Sequence, residues 1–179
     1  MKDRLSIHID QCCQGDSEAF GYIVSEYQQM IYTLAFRLLC DEDDAKDATQ
    51  ETLIKAWQNI RSYKREYRFT TWLYKIAMNV CYDKMRSERN ISKVALSDCN
   101  LCIESDPNEQ LNNKELKELI LRITEGLTPK QKLVFTLSDL EEFETDEIVI
   151  ITGMSAAKIK SNLYLARKYI KSKMKDYER

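Results

Sequence analysis

An all-α chain is predicted: two small helical domains joined by a flexible linker, the second a four-helix, winged-helix-like helix-turn-helix domain. Three observations carry this. Gly and Pro, the residues that punctuate strands and turns, number only 4 and 2 in 179 residues. Apolar residues recur at i, i+3, i+4 and i+7 through most of the chain, and β-branched alternation is scarce. From Asn90 to Asn113 the periodicity stops, and Ser, Asn, Asp and Pro107 take over. The predicted division is a domain over residues 1–90, a linker over 91–113 and a second domain over 114–179.

Taken in order, residues 4–14 predict a short helix ending at Gly15. Asp16 or Ser17 then caps a long helix whose stripe runs Phe20, Ile23, Val24, Tyr27, Met30, Ile31, Leu34, Ala35 and Leu38. Asp41 caps the next helix, with Asp44 in its first turn, where a carboxylate suits the helix dipole. That helix runs through Ala45, Ala48, Thr52, Ala56 and Trp57 to about Asn59. Its outer face offers Asp47, Gln50, Glu51, Ile54 and Lys55, among which Gln50, Glu51 and Ile54 form a polar patch with an exposed apolar centre suited to a protein partner. Residues 61–70 predict a loop, and Thr70 or Thr71 caps a helix continuing to about Glu88.

Beyond the linker, a helix carries Leu116, Leu119, Ile120 and Ile123 and ends near Gly126. Thr128-Pro129-Lys130-Gln131 is a strong helix start: a Thr cap, Pro at the first helical position and Gln closing a capping box. Thr145 is expected to cap a short helix to Thr152, Gly153 supplies a turn, and Ser155 caps a last helix from Ala156 to about Lys173. A short helix, a Gly turn and a longer basic helix form the helix-turn-helix pattern, with core positions at Ile148, Met154, Ile159 and Leu163. The last helix offers Ser155, Ala157, Lys158, Lys160, Ser161, Asn162, Tyr164, Arg167 and Lys168 to a duplex: its N-terminal part to a major groove, its cations to phosphates.

The net charge of -2 hides a strong segregation. Residues 1–53 carry -7 and residues 54–90 carry +6; residues 91–126 and 127–152 carry -3 and -4, and residues 153–179 carry +6. Two basic segments, each preceded by an acidic one, point to two local polyanion-binding surfaces. The first lies in Arg61–Arg89, where cations alternate with aromatics. Cations follow a phosphate backbone, and aromatic faces stack on unpaired bases. Here Lys64, Arg65, Tyr67, Arg68 and Phe69 precede a helix with Trp72, Leu73, Ile76, Ala77 and Val80 on its core side. Lys75, Asn79, Tyr82 and Arg86 lie on its polar side.

The remaining chemistry is sparse. No apolar run approaches the length needed to cross a bilayer, and Met1–Gln11 lacks a signal-peptide core, so a cytoplasmic protein is expected. Cys99 and Cys102 form a lone CxxC with no second pair, and the single His lies far away at position 8. With no Gly-rich phosphate loop, no paired nucleophile and base, and no metal cluster, neither an enzyme nor a cofactor is expected.

Together these stretches resemble a bacterial RNA polymerase sigma factor of the extracytoplasmic-function type, over nearly the whole chain. DEDDAKDATQETLIKAW resembles the family's helix that docks on the clamp coiled coil of the polymerase β′ subunit. FTTWLYKIAMNVCYDKMRSER is similar to its promoter −10 helix, including the Asn79, Asp83, Arg86 spacing. LTPKQKLVFTLSDLEEFETDEIVIITGMSAAKIKSNLYLARKYIKSK resembles its −35-reading helix-turn-helix domain. The resemblance implies docking on core polymerase through Asp47, Gln50, Glu51 and Ile54. It implies capture of opened −10 bases by Lys64, Arg65, Tyr67, Arg68 and Phe69 together with Lys75, Asn79, Tyr82 and Arg86, and −35 readout through the last helix of the second domain, a domain that also touches the β flap. It further implies an anti-sigma factor as partner, often membrane-bound in the family, and no small-molecule substrate. The chain departs from the family near Asn162 and Leu165, where basic residues are common, and at Val149 and Thr152. A second reading from the residues alone is a helix-turn-helix regulator with an N-terminal dimerisation domain. It gives no use to the base-stacking aromatics of 61–89.

Overall fold

The structure is a computed structural model that describes residues 4–92, 123–124 and 126–177; side-chain placement is not described for 88–92 and 175–177. The linker, with Cys99 and Cys102, and the helix expected around Leu116–Ile120 lie outside the described residues. Helices α1 (Arg4–Cys13), α2 (Ser17–Leu39), α3 (Glu42–Asn59) and α4 (Phe69–Ser92) form the N-terminal half. Helices α5 (Pro129–Phe135), α6 (Thr145–Thr152) and α7 (Ala156–Tyr177) form the C-terminal half. No strand occurs among the described residues.

The helix starts follow local chemistry. Asp16 accepts from the backbone N–H groups of Glu18 and Ala19, and Asp41 from those of Asp43 and Asp44. Thr128 and Gln131 close a reciprocal capping box at 3.0 and 3.3 Å. Two starts differ from expectation. Helix α4 begins at Phe69 rather than after Thr70 or Thr71, because Trp72 N–H already donates to the Arg68 carbonyl (3.2 Å). Helix α6 is capped by Glu144 rather than Thr145, with Glu147 reaching back to the Glu144 N–H at 3.3 Å. Helix α2 ends on Cys40, a non-glycine residue in the left-handed region (φ 62).

Helix α4 is the centre of the molecule, packing against α2 and α3 and also against α5 and α6. Leu73, Ala77 and Val80 are buried as expected, and so are Tyr74, Met78, Cys81 and Met85. Burial drives the Cys81 thiol up to about 12, which keeps it protonated and inert. Two separate cores were expected. Instead Leu133, Val134, Leu137, Ile148, Ile151 and Ile159 join the core of the N-terminal half in one contiguous cluster. Leu127, Ala166 and Ile170 form a small satellite. A substitution at the hub is correspondingly costly. Leu73→Ala, at a side chain with no exposure, is expected to cost about 3 kcal/mol. Scanning calorimetry would then show Tm lowered by roughly 6–12 °C.

Candidate nucleic-acid interface

On α4, Lys75, Asn79 and Arg86 are exposed and Tyr82 is half-buried. Their spacing of four, three and four residues holds them in one stripe about 16 Å long. The opposite side of α4, with Leu73, Ala77, Val80 and Cys81, is committed to the core. Lys84, on the opposite side of α4 from the stripe, donates to Asp44 on α3 at 3.0 Å, and this bond raises the lysine's pKa. Asp44 therefore ties α3 to α4 besides favouring the dipole of its own helix, a role that its sequence neighbourhood does not reveal.

The loop before α4 is a 3-10 turn, Ile60–Ser62, followed by a turn closed by Tyr67 N–H on the Lys64 carbonyl (3.2 Å). The Tyr63 hydroxyl donates to the Tyr67 carbonyl at 2.8 Å. Lys64, Tyr67 and Arg68 are exposed on its surface. Arg65 is turned toward α1, donating to Ser6 Oγ (2.6 Å) and pairing with Asp10.

Phe69 does not lie with the exposed aromatics. Only 4% of it is accessible, and its ring sits 5.2–5.4 Å from those of Tyr27, Tyr63 and Trp72. Burial against three rings outweighs exposure for so large an apolar side chain. In this conformation Phe69 supports the loop from beneath, and Tyr67, 44% exposed, presents the accessible aromatic surface.

On α3, Ala45, Ala48, Thr49, Thr52 and Ala56 face the core. Asp47, Gln50 and Ile54 are exposed and Glu51 half-buried, at i, i+3, i+4 and i+7 on the outer side. Ile54 is 56% exposed, an apolar side chain at the middle of a polar face. Lys55 pairs with Glu51 at 2.7 Å along the same helix.

The helix-turn-helix forms as its residues predict. Gly153 takes the left-handed conformation (φ 68), its N–H bonding the Val149 carbonyl at 2.8 Å. Ser155 Oγ accepts from Lys158 N–H at 3.4 Å to start α7. Thr152 uses its hydroxyl, donating to the Ile148 carbonyl (2.7 Å) and accepting from Met154 N–H (3.2 Å). Ile148 and Ile159 are buried, with Met154 and Leu163 packed against them. Ser155, Ala157, Lys158, Lys160, Ser161, Tyr164, Arg167 and Lys168 are exposed, and Asn162 is half-buried, its amide donating to the Lys158 carbonyl. Arg167 is held by Asp139 at 2.6 and 2.9 Å, which raises its pKa further.

Two family models match the chain: Sigma-70 region 2 over residues 23–91, and Sigma-70 region 4 over residues 117–170. SigW of Bacillus subtilis, an extracytoplasmic-function RNA polymerase sigma factor, is 28% identical over 98% of this chain and all of its own length. The chain belongs to the extracytoplasmic-function family of RNA polymerase sigma factors. The sigma-E factor of Haemophilus influenzae is also 28% identical, over 93% of each chain. The same fold is found in CnrH, solved in complex with the cytosolic domain of CnrY: TM-score 0.71, 17% identity, 97% of this chain and 99% of that one. It is found again in the sigma factor RpoE of Bartonella quintana, solved with the anti-sigma factor NepR: TM-score 0.69, 22% identity, 87% of this chain and 96% of that one.

As a sigma factor, the chain is a transcription initiation factor that binds core RNA polymerase and directs it to promoter DNA. The reading as a self-sufficient regulator is not favoured. Sigma factors are non-catalytic transcription factors. Among the described residues no helix is long and apolar enough to cross a membrane, and no group of three or more His, Cys, Asp or Glu could hold a metal.

Proposed function

We propose a division of this activity among three surfaces. Residues 1–90 dock on the polymerase β′ clamp through Asp47, Gln50, Glu51 and Ile54, and hold the opened −10 strand. Residues 114–179 read the −35 duplex through α7 and touch the β flap, and residues 91–113 connect the two. The single observation that carries this reading is the stripe Lys75, Asn79, Tyr82 and Arg86. It is a polar and basic face on a helix whose opposite side is buried in the core, beside an exposed loop bearing Lys64, Tyr67 and Arg68. An unpaired strand needs such a surface: cations for phosphates and aromatics for bases already out of the stack. Buried Phe69 then shapes the pocket for a flipped base rather than stacking on it, and Arg65 contributes once released from Asp10. Both DNA surfaces work without catalytic groups, in the cytoplasm where core polymerase acts. An anti-sigma factor is the regulatory partner that suits a chain of this build. RpoE of Bartonella quintana, which shares the fold, is known in such a complex.

Site-specific photocrosslinking tests the assignment. With benzoylphenylalanine at Tyr82 or at Tyr164 in the holoenzyme, position 82 is expected to crosslink the non-template −10 strand and position 164 the −35 duplex. Crosslinks from position 82 to the −35 region, or from neither position to DNA, would overturn the division.

A further inference from the structure

We propose that the −35 duplex is read through the C5-methyl groups of thymines, with Leu165 and Tyr164 as the reading side chains. A·T pairs, and not guanines, then decide which element this chain selects. The proposal deepens the assignment of α7 to the −35 duplex made above and rests on it.

The chemistry left on the outer face of α7 points this way. In a major groove, guanine is read by a cation that meets its two acceptors, adenine by an amide, and thymine by an apolar group against its methyl. Helix α7 carries one Arg and one Asn, and the fold commits both elsewhere. Arg167 places two of its N–H groups on the Asp139 carboxylate, at 2.6 and 2.9 Å. The half-buried Asn162 donates its amide to the Lys158 carbonyl, one turn back on its own helix, at 2.7 Å.

Helical spacing places the other side chains. At about 100° per residue, Ala157, Ser161, Tyr164, Leu165 and Lys168 fall within an arc of about 100°. This arc lies opposite the buried Ile159, Ala166 and Ile170. Lys158 and Lys160 stand just outside its two edges, suited to phosphates on either side of a groove. Lys168 lies roughly 17 Å along the axis from Ala157, beyond the N-terminal part of a recognition helix that meets base edges. That part therefore presents a methyl, a hydroxyl, a phenol and an isobutyl group.

Tyr164 is 65% exposed and its neighbour Leu165 46%. Thymine methyls would take this apolar surface out of water. A guanine in the same place offers acceptors that Leu165 leaves unpaired, which costs binding. Attraction to one base and a penalty for another are the two parts of discrimination.

The test uses the holoenzyme and a promoter library randomised across the −35 region, with transcripts sequenced. The wild-type chain is expected to enrich thymine, on either strand, at one or more positions. Deoxyuridine is then placed at those positions, which removes the methyl and nothing else. Transcription should fall about fourfold per methyl removed. Leu165→Ala/Tyr164→Ala should transcribe less and no longer respond to the replacement, and Leu165→Arg should move the selected base toward guanine. A wild-type chain that selects guanine, or ignores deoxyuridine, overturns the methyl reading. If position 164 still crosslinks the −35 duplex in that event, the assignment of α7 stands. If it does not, that assignment fails and the methyl reading falls with it. Lost core polymerase binding in the double variant would instead place both side chains in a protein interface and overturn the proposal.

Discussion

Replacing Asn79 and Arg86 together by alanine is expected to block open-complex formation while leaving core polymerase binding intact. Both side chains stand on the exposed stripe of α4, where neither supports the core. Each lost strand or phosphate contact should cost about 1–3 kcal/mol of the opened state. The double variant therefore loses at least roughly 30-fold in promoter opening. Permanganate reactivity of non-template thymines in the −10 region measures the opening, and competition for core polymerase measures the docking. If docking fell while the protein stayed folded, the stripe would be a polymerase surface and the assignment of α4 would be wrong.

The second large effect is expected at Ile54. Its side chain is 56% exposed on the α3 outer face. An exposed apolar residue on the same face as Asp47, Gln50 and Glu51 fits the anchor of an interface. Ile54→Asp should cost at least about 2 kcal/mol of core binding, or roughly 30-fold, with circular dichroism and Tm unchanged. Glu51→Arg should act in the same direction more weakly, since Lys55 already shares the Glu51 carboxylate. Undiminished core binding in Ile54→Asp would move the docking surface off α3.

Much of this was legible in the residues because it depends on local chemistry. Asp16, Asp41 and Thr128 are caps by their own side chains, and Gly153 turns because a residue without Cβ tolerates positive φ. The polar stripe of α4 follows from helical periodicity alone. What stayed hidden is tertiary. Phe69 lies between Arg68 and Thr70 and reads as a base-stacking aromatic. It is buried because Tyr27, Tyr63 and Trp72 meet around it, and only the folded chain brings Tyr27 there. Glu141 reads as one of several solvated carboxylates in the run 141–144, yet it alone reaches both Arg37 and Tyr74, residues distant in sequence. The π-turn that delivers it has no signature in TLSDL. One signal was available and went unused. Tyr74, Met78, Cys81 and Met85 add a second apolar stripe to α4, more than one packing face of a small bundle requires. That excess foretells α4 as a shared core element rather than the edge of one domain.

The central claim is that this chain confers promoter selectivity on core polymerase. The most direct measurement is transcription in vitro with purified sigma-free core enzyme and fragmented genomic DNA, with transcript starts mapped by sequencing. The account predicts a discrete set of starts that appear only when the chain is added, share upstream −10 and −35 elements, and vanish with the Asn79→Ala/Arg86→Ala variant. No start dependent on the chain, together with footprinting of duplex DNA by the purified chain alone as a dimer, would contradict it.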